Sequence, residues 1–174
     1  PLKHIANSGG ILNLPESYFD LVRAGLILYG MYPSLWCQRE KFEARPAFSL
    51  KAKVVFCKRA AAGMGISYGQ FYHTKKETTI ITLPIGYADG WSRTLSAKAR
   101  VLLNGAYYPV VGTICMDQCM VEVGDADVQV GDEAVLIGKQ AGKEIAVEEV
   151  AALLGTINYE VVCQISARVP RIYV

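Results

Sequence analysis

Tyr68 lies in the run Gly65-Ile66-Ser67-Tyr68-Gly69. The glycines on either side argue for an exposed loop, where a packed core ring is out of place. A free phenol has a pKa of about 10, so a tyrosine that moves protons needs a site that favours its phenolate or transfers the proton in concert. The chain holds ten tyrosines, which keeps a plain core role as the competing reading. Asn7-Ser8-Gly9-Gly10 is by itself an ordinary loop, although a hydroxyl with free backbone N–H groups suits the several acceptor oxygens of a phosphate. Cys115 and Cys119 lack the partners that a zinc site needs, and His4 and His73 are the only histidines, so no metal is expected.

Composition narrows the classes around these residues. The chain has 174 residues, 52% hydrophobic and 20% charged, enough for one full domain and a piece of another. A net charge of +2 with scattered Lys and Arg argues against nucleic acid and membrane surfaces as partners. No apolar run is long enough to span a bilayer. Five cysteines, an odd number, read as reduced thiols in a cytoplasmic protein. The first residues carry no signal-peptide pattern. The absent initiator Met, with the motifs below, favours a chain cut from a longer one.

Two unequal pieces must position the candidate residues. The first has a loop at 7–10, a helical turn or two from Pro15, and a run, Gly25-Leu26-Ile27-Leu28-Tyr29-Gly30, that reads as a fully buried strand. Residues 31–46 read as a connector. The second piece is strand-rich: 49–56, 78–83, 100–103, 106–111, 121–123 and 134–137. Asn104-Gly105 between two of these is a strong hairpin signal. Helical spacing returns at 146–154 and closes on Gly155, after which Thr156 is placed to cap a last helix.

Several segments, taken in order, resemble alanine racemase. They are His4-Ile5-Ala6-Asn7-Ser8 with Arg23-Ala24-Gly25-Leu26, then Gly65 to Gly69, Leu83-Pro84-Ile85-Gly86-Tyr87-Ala88-Asp89-Gly90, Cys115-Met116-Asp117-Gln118 and Gly155-Thr156-Ile157-Asn158-Tyr159-Glu160. The likeness runs through Arg168-Val169-Pro170-Arg171. It implies a mostly β chain: residues 1–44 as the last two steps of a (β/α)8 barrel that binds pyridoxal 5'-phosphate, and residues 45–174 as the C-terminal β-rich domain. In this family the β-rich domain of one subunit of a homodimer closes over the cofactor of the other, at the barrel mouth. The implied reaction interconverts L- and D-alanine and supplies D-alanine for peptidoglycan precursors.

The resemblance also implies roles. Ser8 matches a residue that bonds the cofactor phosphate, and Gly25 and Leu26 match donors of backbone N–H groups to it. Arg23 matches the partner of the pyridine nitrogen, and His4 matches the residue that buttresses Arg23. A guanidinium has no lone pair, so it leaves that nitrogen largely unprotonated and the ring a weaker electron sink. Tyr68 matches the base on one face of Cα. Met116 matches a residue at the substrate carboxylate, with ordinary packing as the alternative. Tyr159 matches one that bonds the phosphate and abuts the substrate methyl group. Tyr87 and Arg93 match residues lining the access passage.

The chain departs from the pattern in three places. The lysine segment and the barrel arginine of the family are absent, so the chain alone is expected to be inactive. Thr113 stands where many members carry arginine. A serine-preferring racemase is the close alternative, and Tyr159 argues for alanine. Barrel-type decarboxylases share the plan but not these motifs, and a non-catalytic dimerisation or lid module is the reading from another class. The β-rich domain is expected to fold alone. Limited proteolysis is expected to cut first before residue 46, and early cuts within 100–137 would contradict this architecture.

Overall fold

Asn7 opens the first helix: its side-chain oxygen accepts the Gly10 N–H at 3.0 Å and caps α1 (Ser8–Asn13). The loop expected at 7–10 is therefore a helix start. The computed structural model describes residues 1–34 and 36–173, in two compact units, Pro1–Phe48 and Ser49–Val174.

In the first unit, Pro15 begins a single 3-10 turn, Pro15–Ser17. The strand expected over 25–30 does not form. Leu26–Tyr29 is a 3-10 turn closed by Gly30 at φ 71°. A strand needs a neighbour to take its N–H groups. Here the N–H groups of Gly25 and Ile27 go to the Ser8 hydroxyl oxygen, and that of Leu28 goes to the Gly25 carbonyl. Of the apolar side chains in the run, only Leu26 and Ile27 are buried. Gly30 admits no side chain, because a Cβ there would lie 1.8 Å from the Arg45 carbonyl oxygen.

The second unit is a curled antiparallel sheet. Its strands are β1 (Leu50–Lys53), β2 (Phe56–Ala60), β3 (Gly65–Ile66), β4 (Tyr72–His73), β5 (Thr78–Leu83), β6 (Arg100–Leu103), β7 (Ala106–Val111), β8 (Cys119–Gly124), β9 (Glu133–Gln140) and β10 (Lys143–Ile145). The main order is β1-β9-β6-β7-β8-β5-β2, with β10 added to β9 and β3-β4 forming a separate small ribbon. The two ends of that order are consecutive in sequence. Laid flat, six strand spacings of about 4.8 Å would part them by about 29 Å, yet only Val54 and Val55 join them, so the sheet must curl until its edges approach. Val54 completes the turn: its N–H bonds the Asp132 carbonyl at 2.9 Å, and the Val55 N–H bonds Thr82 at 3.0 Å. The single strand expected over 49–56 is thus split at this crossing.

Asn104 (φ 48°) and Gly105 (φ 75°) form the two-residue turn of the β6–β7 hairpin, with Leu103 opposite Ala106. The helix expected near 146–154 is α2 (Val147–Leu154), ended by Gly155 at φ 71°. Ile157, not Thr156, occupies the N-cap position of α3 (Asn158–Gln164). The Thr156 hydroxyl donates instead to the Glu160 carboxylate, whose charge makes it the better acceptor.

All five cysteines are free. Cys119 is fully enclosed, and burial, with a smaller effect of Cys115, pushes its thiol from 9.0 up to about 12. The fold therefore favours the protonated thiol. That contribution to stability is whole below about pH 9 and is lost as pH rises towards 12. Alkylation at pH 8 followed by mass spectrometry is expected to label the exposed Cys163 first and Cys119 only after denaturation. Equal native rates at the two would contradict this core.

Candidate active site

In the first unit Ser8 is 3% exposed, and its Oγ collects two backbone donors, Gly25 N–H at 3.1 Å and Ile27 N–H at 3.4 Å. Leu26 lies between these two donors, with its side chain buried. Arg23 is fixed by its own N–H on the Ala6 carbonyl at 2.8 Å. Its guanidinium meets His4 Nδ1 at 3.0 Å and the His4 carbonyl at 3.4 Å. Since arginine only donates, Nδ1 is the acceptor and the ring proton is assigned to Nε2. A Cβ on residue 25 would stand 3.8 Å from Ser8 Oγ, an ordinary contact distance. With its oxygen accepting both N–H groups, the Ser8 hydroxyl is left to donate its own proton, and such a donor together with a braced guanidinium fits a ligand carrying a phosphate and a ring nitrogen.

In the second unit one buried segment ties the candidate residues together. Residues 112–115, between β7 and β8, are all buried. Ser67 Oγ donates to the Thr113 carbonyl at 2.6 Å, and Thr113 Oγ1 donates to the Tyr68 carbonyl at 3.1 Å. Ile114 N–H donates to Ser96 Oγ at 2.9 Å, and that hydroxyl donates to the Arg93 carbonyl at 2.6 Å. The carbonyls of Cys115 and Met116 accept the N–H groups of Tyr87 at 3.1 Å and Ala88 at 3.0 Å. Tyr68, Arg93, Tyr87 and Met116 thus stand on or beside one support.

Tyr68 begins a 3-10 turn, Tyr68–Gln70, between the short strands β3 and β4, and its side chain is 77% exposed. Ser67 before it has φ 67° and ψ 180°, a region that other residues avoid at about 1–3 kcal/mol. Gly69 and Gln70 follow at φ 76° and 48°. Tyr87, Arg93 and Met116 are exposed, and Tyr159 is half-buried on the first turn of α3. The C-terminal end of α3 meets the Tyr87 turn, since a Cβ on Gly90 would lie 2.3 Å from the Gln164 carbonyl. Two supporting acids escaped sequence reasoning. The buried Asp89 accepts the Gly86 N–H at 2.9 Å and pairs with Arg168 at 3.3 Å, and Asp117 holds the same arginine. Asp89 had a signal, an acid three residues after Gly86 at the start of a turn. Ser67 stood out only as part of the Tyr68 run and Thr113 only as a departure from the family pattern; their contact had no signal, because it joins distant segments.

The family model "Alanine racemase, C-terminal domain" matches residues 47–173, and "Alanine racemase, N-terminal domain" matches residues 1–33. The chain belongs to the alanine racemase family. It is 51% identical over 99% of its length to the alanine racemase of Clostridium perfringens strain SM101 and 53% identical to that of Desulfovibrio desulfuricans. It spans 45% and 46% of those proteins, just under half of each. Among solved structures, alanine racemase of Clostridium difficile 630 in complex with cycloserine matches with a TM-score of 0.92 at 48% identity, covering 98% of this chain and 45% of that one. The Bacillus anthracis enzyme with bound L-Ala-P gives 0.95 at 43%, covering 99% and 45%. The Bartonella henselae enzyme with covalently bound pyridoxal phosphate gives 0.85 at 36%, covering 97% and 46%.

Gly112 tests the support. At φ 67°, a Cβ there would lie 2.7 Å from the Ile66 carbonyl and 2.9 Å from Ser67 Cβ. Gly112→Ala is expected to destabilise the chain by more than about 1 kcal/mol, combining an unfavourable φ with a backbone clash. Thermal unfolding checks this, and an unchanged midpoint would mean that the segment does not bear on the Tyr68 loop.

Proposed function

We propose that this chain is part of a pyridoxal-phosphate-dependent alanine racemase that interconverts L- and D-alanine, with Tyr68 as the proton carrier on one face of Cα. The observation that carries this reading is the setting of Tyr68. An idle core tyrosine would be buried, and an idle surface tyrosine would not follow a residue held at φ 67° and ψ 180°. The names of relatives about half identical over this chain supply the substrate. The reading places the enzyme in the cytoplasm as a homodimer, the β-rich unit of one subunit serving the cofactor held by the other. No helix among the described residues is long and apolar enough to cross a membrane.

Racemisation removes a proton from one face of Cα and returns one to the other, so each face needs its own carrier. Tyr68 accepts or returns a proton at its phenol oxygen. The opposite face falls to a lysine of the family's N-terminal barrel steps, outside residues 1–174. When bound, the cofactor supplies the electron sink that acidifies the α-proton. Ser8, the N–H groups of Gly25 and Leu26, and the Tyr159 hydroxyl would hold its phosphate. Arg23, braced by His4, would donate a hydrogen bond to the ring nitrogen without protonating it, which would favour plain reprotonation over transamination. Met116 meets the substrate carboxylate through its backbone N–H, and Tyr159 limits the room beside the methyl group. Tyr87 and Arg93 line the access passage.

Tyr68→Phe in the full-length enzyme removes the hydroxyl and keeps the ring. Stability is expected to change by about 1 kcal/mol or less, whereas the rate falls by about 10²–10⁴-fold. The loss is one-sided: α-proton exchange collapses for the enantiomer whose proton faces Tyr68 and largely survives for the other. Deuterium exchange followed separately for L- and D-alanine reads this directly. Equal exchange from both faces would remove Tyr68 from the mechanism.

A further inference from the structure

We propose that Thr113 and Ser67 form a positioning pair that sets the Tyr68 phenol for proton transfer, acting through the backbone and without touching substrate. This rests on the reading of Tyr68 as a proton carrier.

The contact is reciprocal. The Ser67 side chain holds the Thr113 carbonyl at 2.6 Å, and the Thr113 side chain holds the Tyr68 carbonyl at 3.1 Å. Tyr68 is thereby gripped on both sides of its Cα, by the residue before it and by its own carbonyl. A fixed backbone sets the direction of the Tyr68 Cα–Cβ bond and restricts the rotamers open to its exposed ring. Thr113 is 7% exposed, so water competes poorly for its hydroxyl. Ser67 Oγ also meets Cys115 Sγ at 3.4 Å, which anchors it a second time to the same segment. Gly112, next to Thr113, lets the two backbones come close enough for both bonds. A serine in a backbone conformation that favours glycine brings a hydroxyl that glycine lacks, and that hydroxyl is one half of the pair.

A general carrier must sit within hydrogen-bond reach of the proton it moves, and a displacement of about 1 Å can cost up to about a hundredfold in rate. Thr113→Val in the full-length enzyme keeps the branched shape and removes the donor to Tyr68. Its turnover number is expected to fall by about ten- to a hundredfold, with KM little changed. The fall is confined to α-proton exchange on the face served by Tyr68. Thr113→Ser restores the hydroxyl and recovers most of the rate. Ser67→Gly accepts the same backbone angles but lacks the hydroxyl, so it loses exchange on the same face even though backbone strain is relieved. That variant carries the test if Thr113→Val does not fold.

A Thr113→Val or Ser67→Gly enzyme at the wild-type rate would overturn the pair, as would losses equal on both faces that follow the melting temperature. Tyr68→Phe measured alongside separates the two failures. Its collapse on one face, with Thr113→Val intact, removes only the positioning role. Equal exchange from both faces in Tyr68→Phe removes the reading on which the pair depends.

Discussion

The connection from β7 to β8 is buried over residues 112–115 and runs outside the sheet ladder there, so its polar backbone groups need partners that water cannot supply. They find them in the turns around Ser67, Ser96 and Tyr87. Each bond that satisfies the buried connection also fixes a loop that carries a candidate residue. Burying one unpaired amide or carbonyl costs about 1–3 kcal/mol, so these loops are held by a constraint of the fold. Close approach is part of the same constraint. A Cβ on Gly86 would lie 2.2 Å from the Cys115 carbonyl oxygen. From the Tyr87 turn the linkage continues outward, through Ser166 N–H on the Asp89 carbonyl at 3.0 Å, to the chain that follows α3.

The first unit orders its polar groups by a different route. Its buried apolar set is small, with Leu12, Ile27 and Cys37 at its centre, and large side chains such as Leu28 and Trp36 are exposed. What fixes Ser8 is local chemistry: the Asn7 cap that starts α1 and the two N–H groups that close on its oxygen. Those bonds occupy the oxygen's acceptor side, so the Ser8 hydroxyl is held in place with its own proton left to donate.

These differences explain what the sequence could tell. The Asn104-Gly105 turn and the Gly155 helix end are legible because each depends on backbone angles that few residues tolerate. The exposed loop at Tyr68 is legible from its flanking glycines for the same reason. The run at 25–30 is misread because continuous apolar residues carry no period, and its fate was decided by a hydroxyl some seventeen positions away. The helix at Ser8 hides behind two glycines, which disfavour a helix interior but cost less in a short, capped one. The contact between Thr113 and Ser67 is illegible for a deeper reason. Their bond crosses 46 positions and exists only once the sheet has curled.

The energy scale of that last contact bears on how the site works. Holding Ser67 in its unusual backbone region costs about 1–3 kcal/mol. The two hydrogen bonds of the Thr113 pair return about 0.5–1.5 kcal/mol each. The two quantities are nearly equal, so the Tyr68 loop is defined by its bonds without being deeply trapped by them. A loop in that balance keeps one conformation while its partners are in place and relaxes when either bond is removed. Ser67 strain and Thr113 burial therefore make sense only together: the strain gives the loop somewhere else to go, and the buried pair prevents it from going there.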